Sequence, residues 1–389
     1  MKHKNIPEGY KDSPLGVIPK EWEVKRLGEI CSHFKSGTTI TSKQISEKGK
    51  YPVYGGNGLR GYSDTYTHDG AYILIGRQGA LCGNINYVEG KNYISEHAIA
   101  VQSFENIQWL RYKLDYWNLN KFSESSAQPG LSVEKLVRYK LIVPPINEQK
   151  KIAEILSVWD EAIEKQKKLV NALTRRKHAL SQQLLTGEKR LPGFNRKWEK
   201  VTIKKIAKEI KTRNKNNRNL EVLSCTKYDG LVPSLKYFGR QIFSKDLNQY
   251  KIAPKYCFAY ATNHIEEGSI GYQDLYNESL ISPMYTVFET NKNKIDDFFL
   301  YKLLKSHQFI YIYSTMMEGS INRRGGLNWS NFSTIKFNLP PMQEQKAITK
   351  IISTAESTIN SAKQLLESFH LQKQGLMQQL LTGKINIQI

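Results

Sequence analysis

The chain has 389 residues with 57 Lys and Arg against 36 Asp and Glu, a formal net charge of +21. A charge this far from balance points to polyanionic partners, nucleic acid before an anionic membrane surface. No stretch approaches the apolar length of a membrane span, and the polar run through Lys20 has no signal-like core. The four cysteines, Cys31, Cys82, Cys225 and Cys257, have no Cys-x-x-Cys spacing, so neither a structural zinc site nor a disulfide framework is implied. The expectation is a soluble protein of the reducing cytoplasm, with no structural or catalytic metal and no cofactor.

Taken in chain order, Ile18-Pro19-Lys20-Glu21-Trp22-Glu23-Val24 opens the first half. Tyr51 to Gly58, Ala71 to Gly76 and Ile94 to Val101 alternate β-prone runs with Gly and Asn turns, and Ile107 to Tyr116 reads as helix. The diproline Pro144-Pro145 then forbids helix just upstream and leads into a long apolar-periodic segment. In the second half Leu220 to Cys225, Tyr256 to Ala261, Ser269 to Tyr272 and Met284 to Phe288 are strand candidates, and Asp296 to Tyr313 is helix-like. A second diproline, Pro340-Pro341, leads into a second long segment.

The chain states one unit twice. Pro144-Pro145-Ile146-Asn147-Glu148-Gln149-Lys150 returns as Pro340-Pro341-Met342-Gln343-Glu344-Gln345-Lys346. Gln182-Gln183-Leu184-Leu185-Thr186-Gly187 returns as Gln378-Gln379-Leu380-Leu381-Thr382-Gly383, and over 144–187 the two copies share 19 of 44 residues at a constant offset of 196. Such a match marks a duplicated structural unit. Trp22-Glu23 and Trp198-Glu199 extend it upstream, while the stretches between differ almost throughout and the second is longer by about 20 residues, which loops absorb cheaply. The halves are expected to share frames but not contents.

Within the long segments Ile152, Leu156, Trp159, Ile163, Val170, Leu173, Leu180 and Leu184 fall at coiled-coil spacings. Ile348, Ile352, Ala355, Ile359, Ala362, Leu366, Phe369, Leu376 and Leu380 do the same, and Lys177 and Lys373 interrupt the two seams at the same place. Each predicts a helix of roughly 37 residues, about 55 Å long, stopped by Gly187 or Gly383. A long helix with one apolar seam must pair, and two in one chain most economically pair with each other, antiparallel. The fold class expected is α+β: two α/β domains and two long coiled-coil helices in a pseudo-twofold repeat. The corresponding division is 1–143 for the first domain, 144–191 for the central helix, 192–339 for the second domain and 340–389 for the last helix.

The repeated Pro-Pro-x-x-Glu-Gln-Lys, the repeated Gln-Gln-Leu-Leu-Thr-Gly and the opening Ile18-Pro19-Lys20-Glu21-Trp22-Glu23-Val24 resemble the specificity subunit of type I restriction-modification systems, over the whole chain. The resemblance implies a non-catalytic DNA reader with one target-recognition domain per half-site. It also implies docking of two methyltransferase subunits and, in the full complex, of restriction translocase-nuclease subunits. Independently, a pseudo-twofold pair of unlike readers predicts an asymmetric bipartite target with an unread gap.

Reading base edges calls for Arg, Lys, Asn and Gln on loops, with further cations along phosphates. Arg77 and Gln78, flanked by Gly76 and Gly79, suit guanine and adenine edges. Tyr54, Asn57 and Arg60 form a second cluster, and Lys43 stands with Thr38, Thr39, Thr41 and Ser42 in a third. In the second half Arg323 and Arg324 precede Gly325-Gly326, and Lys227, Tyr228, Asn263 and His264 follow predicted strands. Glu148, Gln149 and Lys150 with Glu344, Gln345 and Lys346 read as repeated solvent-facing positions for partner contact, with helix capping and local charge pairing as the other reading of the glutamates.

Catalytic signatures are missing from the sequence, and no catalytic residue is assigned. The diprolines lack the flanking Asn or Asp and aromatic that hold a flipped base. There is no Gly-x-x-x-x-Gly-Lys-Ser/Thr loop, and Glu23-Val24-Lys25 and Glu209-Ile210-Lys211 lack the Pro-Asp of a nuclease signature. His97 and His264 stand outside any metal-ligand spacing. A self-sufficient DNA methyltransferase or nuclease is the alternative reading, and a basic scaffold for acidic proteins or membranes a third.

Overall fold

The computed structural model describes residues 6–79, 81–123, 130–318, 326–385 and 387. The chain divides into two compact units, one of residues 1–168 with 363–389 and one of residues 169–362. Two long helices, Ile146–Thr186 and Met342–Leu380, contribute residues to both units. Each begins one residue after its diproline, and Gly187 and Gly383 follow with φ of +77° and +70°. Those left-handed stops match the sequence expectation.

In the first unit β1 (Glu23–Arg26) pairs with a strand just before the first diproline. β2 (Cys31–Ser36), β3 (Tyr51–Gly55), β4 (Gly58–Ser63), β5 (Tyr72–Gly76), β6 (Ile85–Val88), β7 (Tyr93–Ile94) and β8 (Ala98–Ser103) follow, then helix α1 (Ile107–Trp117), then β9 (Lys140–Val143), the partner of β1. An antiparallel sheet runs β2-β8-β5-β6 and a smaller sheet runs β4-β3-β7, with β3 and β7 parallel. Alternation decides the faces. Ile73, Ile75, Ile99 and Val101 point into the main core with Trp109 and Leu110 of α1, whereas Tyr72, Leu74, Ala98 and Ala100 form a cluster on the other face. Ile152, Leu156, Met377, Leu380 and Leu381 of the long helices complete that main core.

The second unit repeats the plan. Its elements are β10 (Glu199–Thr202), β11 (Ala207–Ile210), β12 (Val222–Thr226), β13 (Gly230–Pro233), β14 (Lys251–Pro254), β15 (Cys257–Ala261), β16 (Ile270–Gln273), β17 (Glu278–Ile281) and β18 (Tyr285–Thr290). Helices α2 (Asp297–Leu304) and α3 (His307–Glu318) come next, and β19 (Lys336–Leu339) pairs with β10. One sheet runs β11-β18-β15-β16 and the other β13-β12-β17-β14, with β12 and β17 parallel. The first matches β2-β8-β5-β6 strand for strand. The inserts differ almost throughout in sequence yet share this sheet order, so one architecture carries two contents. β14 adds a fourth strand to the second sheet, where the first unit has an isolated antiparallel bridge between His68 and Asn92. The helix-like stretch Asp296 to Tyr313 forms α2 and most of α3, separated at Lys305 and Ser306.

The long helices run antiparallel within each unit. In the first, the Trp159 and Phe369 rings lie 5.8 Å apart, and Ile152 and Leu156 share a core with Met377 and Leu380. In the second, Leu184 shares a core with Ile348 and Ile352. Each fully buried Ile or Leu of the seams contributes about 1.5–3 kcal/mol, which neither helix could gain alone.

Candidate nucleic-acid interface

Three connections converge at one end of the first unit's sheets. After β5 the backbone N–H of Arg77 donates to the His97 carbonyl at 2.9 Å, and the Arg77 carbonyl accepts from Leu131 N–H at 2.9 Å. The turn between β3 and β4 packs on the same place: a Cβ on Gly56 would lie 2.6 Å from the His97 carbonyl oxygen, and one on Gly76 would lie 2.7 Å from the Gly56 oxygen. Only glycine permits that backbone-to-backbone approach. Tyr54, Asn57, Arg60, Arg77 and Gln78 are thereby brought together, Arg60 folded over Gly55.

Asn57, Arg60 and Gln78 are exposed, and Tyr54 and Arg77 are half-buried. Lys43 is exposed in a 3-10 turn, and the residues after it run beside β4, where Ser46 and Tyr62 exchange backbone hydrogen bonds of 2.9 Å. Among the described residues none of Lys43, Arg60 and Arg77 makes a salt bridge, so their charge is available to a phosphate or a guanine edge. Sequence reasoning missed Ser95-Glu96-His97, the link between β7 and β8 on which Arg77 rests. The signal was a polar triplet breaking the apolar run from Ile94 to Val101.

The second unit builds the equivalent place with different residues. The Thr262 carbonyl accepts from Leu327 N–H at 2.9 Å, as the Arg77 carbonyl does from Leu131. Thr262 and Asn263 therefore occupy the positions of Arg77 and Gln78, each just past the matching strand, β15 or β5. Asn263 and His264 are exposed. His264 is a surface residue whose ring and the Glu266 and Glu267 carboxylates place ligand-capable atoms within 4.8 Å of one another. Lys227 and Tyr228 lie elsewhere, on the β12–β13 turn, where the Lys227 carbonyl accepts from Lys305 at 2.9 Å and Tyr228 is 80 % exposed. They line a cavity of about 840 Å³ with Tyr301, Lys305 and Tyr311 rather than joining Asn263. Arg323 and Arg324 lie outside the described residues.

The repeated Glu-Gln pair is not solvent-facing, which corrects the reading of Glu148, Gln149, Glu344 and Gln345. All four are buried, at 4 %, 0 %, 0 % and 1 % exposure. Trp22 Nε1 donates to Glu148 at 2.8 Å and Trp198 Nε1 to Glu344 at 2.9 Å. The Gln149 side-chain oxygen accepts from Asn106 N–H at 2.9 Å, and that of Gln345 from Asp296 N–H at 2.7 Å. Asn106 and Asp296 cap the N-termini of α1 and α2. The two glutamines also donate to Pro144 and Pro340, each at 2.8 Å. The motif fastens α1 and α2 to the starts of the two long helices. Burial raises the Glu148 carboxyl above its ordinary value, opposed by the Trp22 hydrogen bond. Lys150 and Lys346 alone of the six are exposed.

The family described as the type I restriction modification DNA specificity domain matches residues 19–175 and again residues 195–368. The chain belongs to this family. Among relatives of this specificity-domain family, the type I restriction enzyme EcoprrI specificity subunit of Escherichia coli is 45 % identical over 159 residues, 39 % of each chain. The type I restriction enzyme MjaVIII specificity subunit of Methanocaldococcus jannaschii is 24 % identical across 98 % of this chain and 96 % of its own. In fold, the S subunit of a type I restriction-modification system from M. genitalium superposes with a TM-score of 0.60 at 16 % identity, covering 94 % of this chain and 97 % of the other.

As in the sequence reading, two specificity domains follow one another, and among the described residues no helix is long and apolar enough to cross a membrane. The four cysteines are free, and burial pushes the thiols of Cys31, Cys225 and Cys257 up to about 12. Such thiols are poor nucleophiles at neutral pH.

Proposed function

We propose that the chain is the DNA-specificity subunit of a type I restriction-modification complex, non-catalytic, reading an asymmetric bipartite site with one recognition domain per half-site. The observation that carries this is the pair of equivalent positions filled differently: Arg77-Gln78 after β5 and Thr262-Asn263 after β15. One scaffold presenting two side-chain sets reads two different half-sites: Gln78 and Asn263 both offer an amide suited to adenine N6 and N7, but Arg77 adds a fork suited to guanine O6 and N7 where the second unit has the Thr262 hydroxyl. Lys43, Arg60, Arg323 and Arg324 supply phosphate or base contacts, and Lys227 and Tyr228 reach DNA from the β12–β13 turn.

Two methyltransferase subunits, and restriction translocase-nuclease subunits in the full complex, dock on the connectors 144–191 and 340–389 between and after recognition domains 1–143 and 192–339. Lys150 and Lys346 are the exposed members of the repeated motif for that contact. The free cysteines suit a reducing cytoplasm.

Co-expression with the neighbouring methyltransferase gene in a methylation-free host, followed by modification-sensitive sequencing, tests the function. One asymmetric bipartite motif, methylated only when this chain is present, is the expected result. Methyl transfer from labelled S-adenosylmethionine by the purified chain alone would instead support the self-sufficient enzyme.

A further inference from the structure

Asp160, on the first long helix, gathers partners from two other elements. Lys373 of the second long helix lies 2.6 Å from one carboxylate oxygen, and Arg111 and Tyr112 of α1 lie 2.6 Å from the other. Glu356, on the second long helix, does the reciprocal in the second unit: Lys177 of the first long helix is 3.6 Å from one oxygen and Lys302 of α2 is 2.6 Å from the other.

Positions 160 and 356, like 177 and 373, differ by the repeat offset of 196, while Arg111 and Lys302 differ by 191. The acid and the seam lysine are thus inherited with the helix. The domain's own cation has been met in each half from a different helical position. A lysine within an apolar seam is unfavourable unless paired, and here its partner also holds the domain. The side chains of Asp160 and Glu356 are about one-third exposed, at 33 % and 32 %, so their pairs are screened less than those at a free surface.

The gripped helices support the reading loops. Trp109 and Leu110 of α1 pack on Ile75 of β5 and Ile99 of β8, whose ends carry Arg77 and adjoin His97. Phe299 and Leu300 of α2 pack with Phe258 of β15 and Phe288 of β18, and β15 leads to Thr262 and Asn263. Close-packed cores transmit a tilt of the helix to the strand ends.

We propose that Asp160 and Glu356 are positioning residues for base reading, each setting one recognition domain on the helix pair, so that each governs the stringency of one half-site. This rests on the DNA-reading function proposed above.

The experiment uses the full chain with its methyltransferase in a methylation-free host and compares wild type, Asp160→Asn and Glu356→Gln by methylation sequencing. Asp160→Asn is expected to admit single mismatches in one half-site only, with discrimination there reduced about 10-fold, and Glu356→Gln in the other half only. A double variant, Asp160→Lys with Lys373→Asp, keeps the interhelical ion pair but repels Arg111. It should assemble and still loosen the same half-site as Asp160→Asn, which separates domain grip from helix pairing. Assembled variants that stay strict, or that loosen the same half-site in both units, overturn the proposal. A wild-type chain that directs no bipartite motif overturns the DNA-reading function itself, and this proposal with it.

Discussion

The Trp22 indole donates to the buried Glu148 carboxylate at 2.8 Å, joining the start of the first domain to the first turn of a long helix 126 residues later. Trp198 and Glu344 repeat the bond, and there Arg190 adds a bidentate contact, both distances 2.8 Å. Glu148→Ala leaves the indole N–H buried without an acceptor, and about 1–3 kcal/mol of stability is expected to be lost. Glu344→Ala also removes both contacts to Arg190, which is 30 % exposed and keeps its bond to the Arg196 carbonyl, so a somewhat larger loss than for Glu148→Ala is expected. Urea unfolding of the two variants checks the order, and a larger loss for Glu148→Ala would contradict it.

Because these glutamates are structural, the docking contribution of the motif is tested at its exposed lysines. Lys150→Ala with Lys346→Ala should leave unfolding within about 0.5 kcal/mol of wild type. The same variant should reduce recovery of methyltransferase on affinity-purified chain. Full recovery would place the contact elsewhere.

Lys113 makes the first unit pH-dependent. It is 3 % exposed, donates to the Leu381 carbonyl at 2.6 Å, and burial pushes its pKa down to about 7. With the native pKa below the unfolded value, the unfolded chain binds more protons between pH 7 and about 10, so stability rises with pH across that window. The contribution is fully lost below pH 7. A gain on the order of a few kcal/mol is expected. Lys113→Met should flatten the curve, measured by denaturant unfolding from pH 6 to 10, and an unchanged slope would show that the amine is not the cause.

Arg77 and Lys43 are expected to act differently on DNA. Arg77→Ala should remove about 1–3 kcal/mol of discrimination at one base pair, whereas Lys43→Ala should weaken binding to all sequences and lower the slope of log affinity against log salt by about 1. Fluorescence anisotropy over a salt series with matched and mismatched duplexes distinguishes them. Equal effects on both duplexes from Arg77→Ala would make it a phosphate contact.

The cluster at the end of β5 shows how far linear reading reaches. Arg77-Gln78 between glycines was legible because turn chemistry is local, and Tyr54, Asn57 and Arg60 for the same reason. That the two groups meet was not, because it depends on Gly56 seating under the His97 carbonyl, 41 residues away in sequence. The glutamates were misread because helical periodicity counts the faces of one helix. Their burial is imposed by a tryptophan on another element.

The sequence by itself determined the duplication, the helix starts after the diprolines, the glycine stops and the apolar seams, since each follows from backbone sterics or a repeating period carried within one segment. Only the tertiary structure decided that the inserts share one sheet order, that Thr262 stands where Arg77 stands, and that the seam lysines meet Asp160 and Glu356. These relations join residues far apart in sequence, and they exist only once packing and hydrogen bonding have fixed which strands and helices touch.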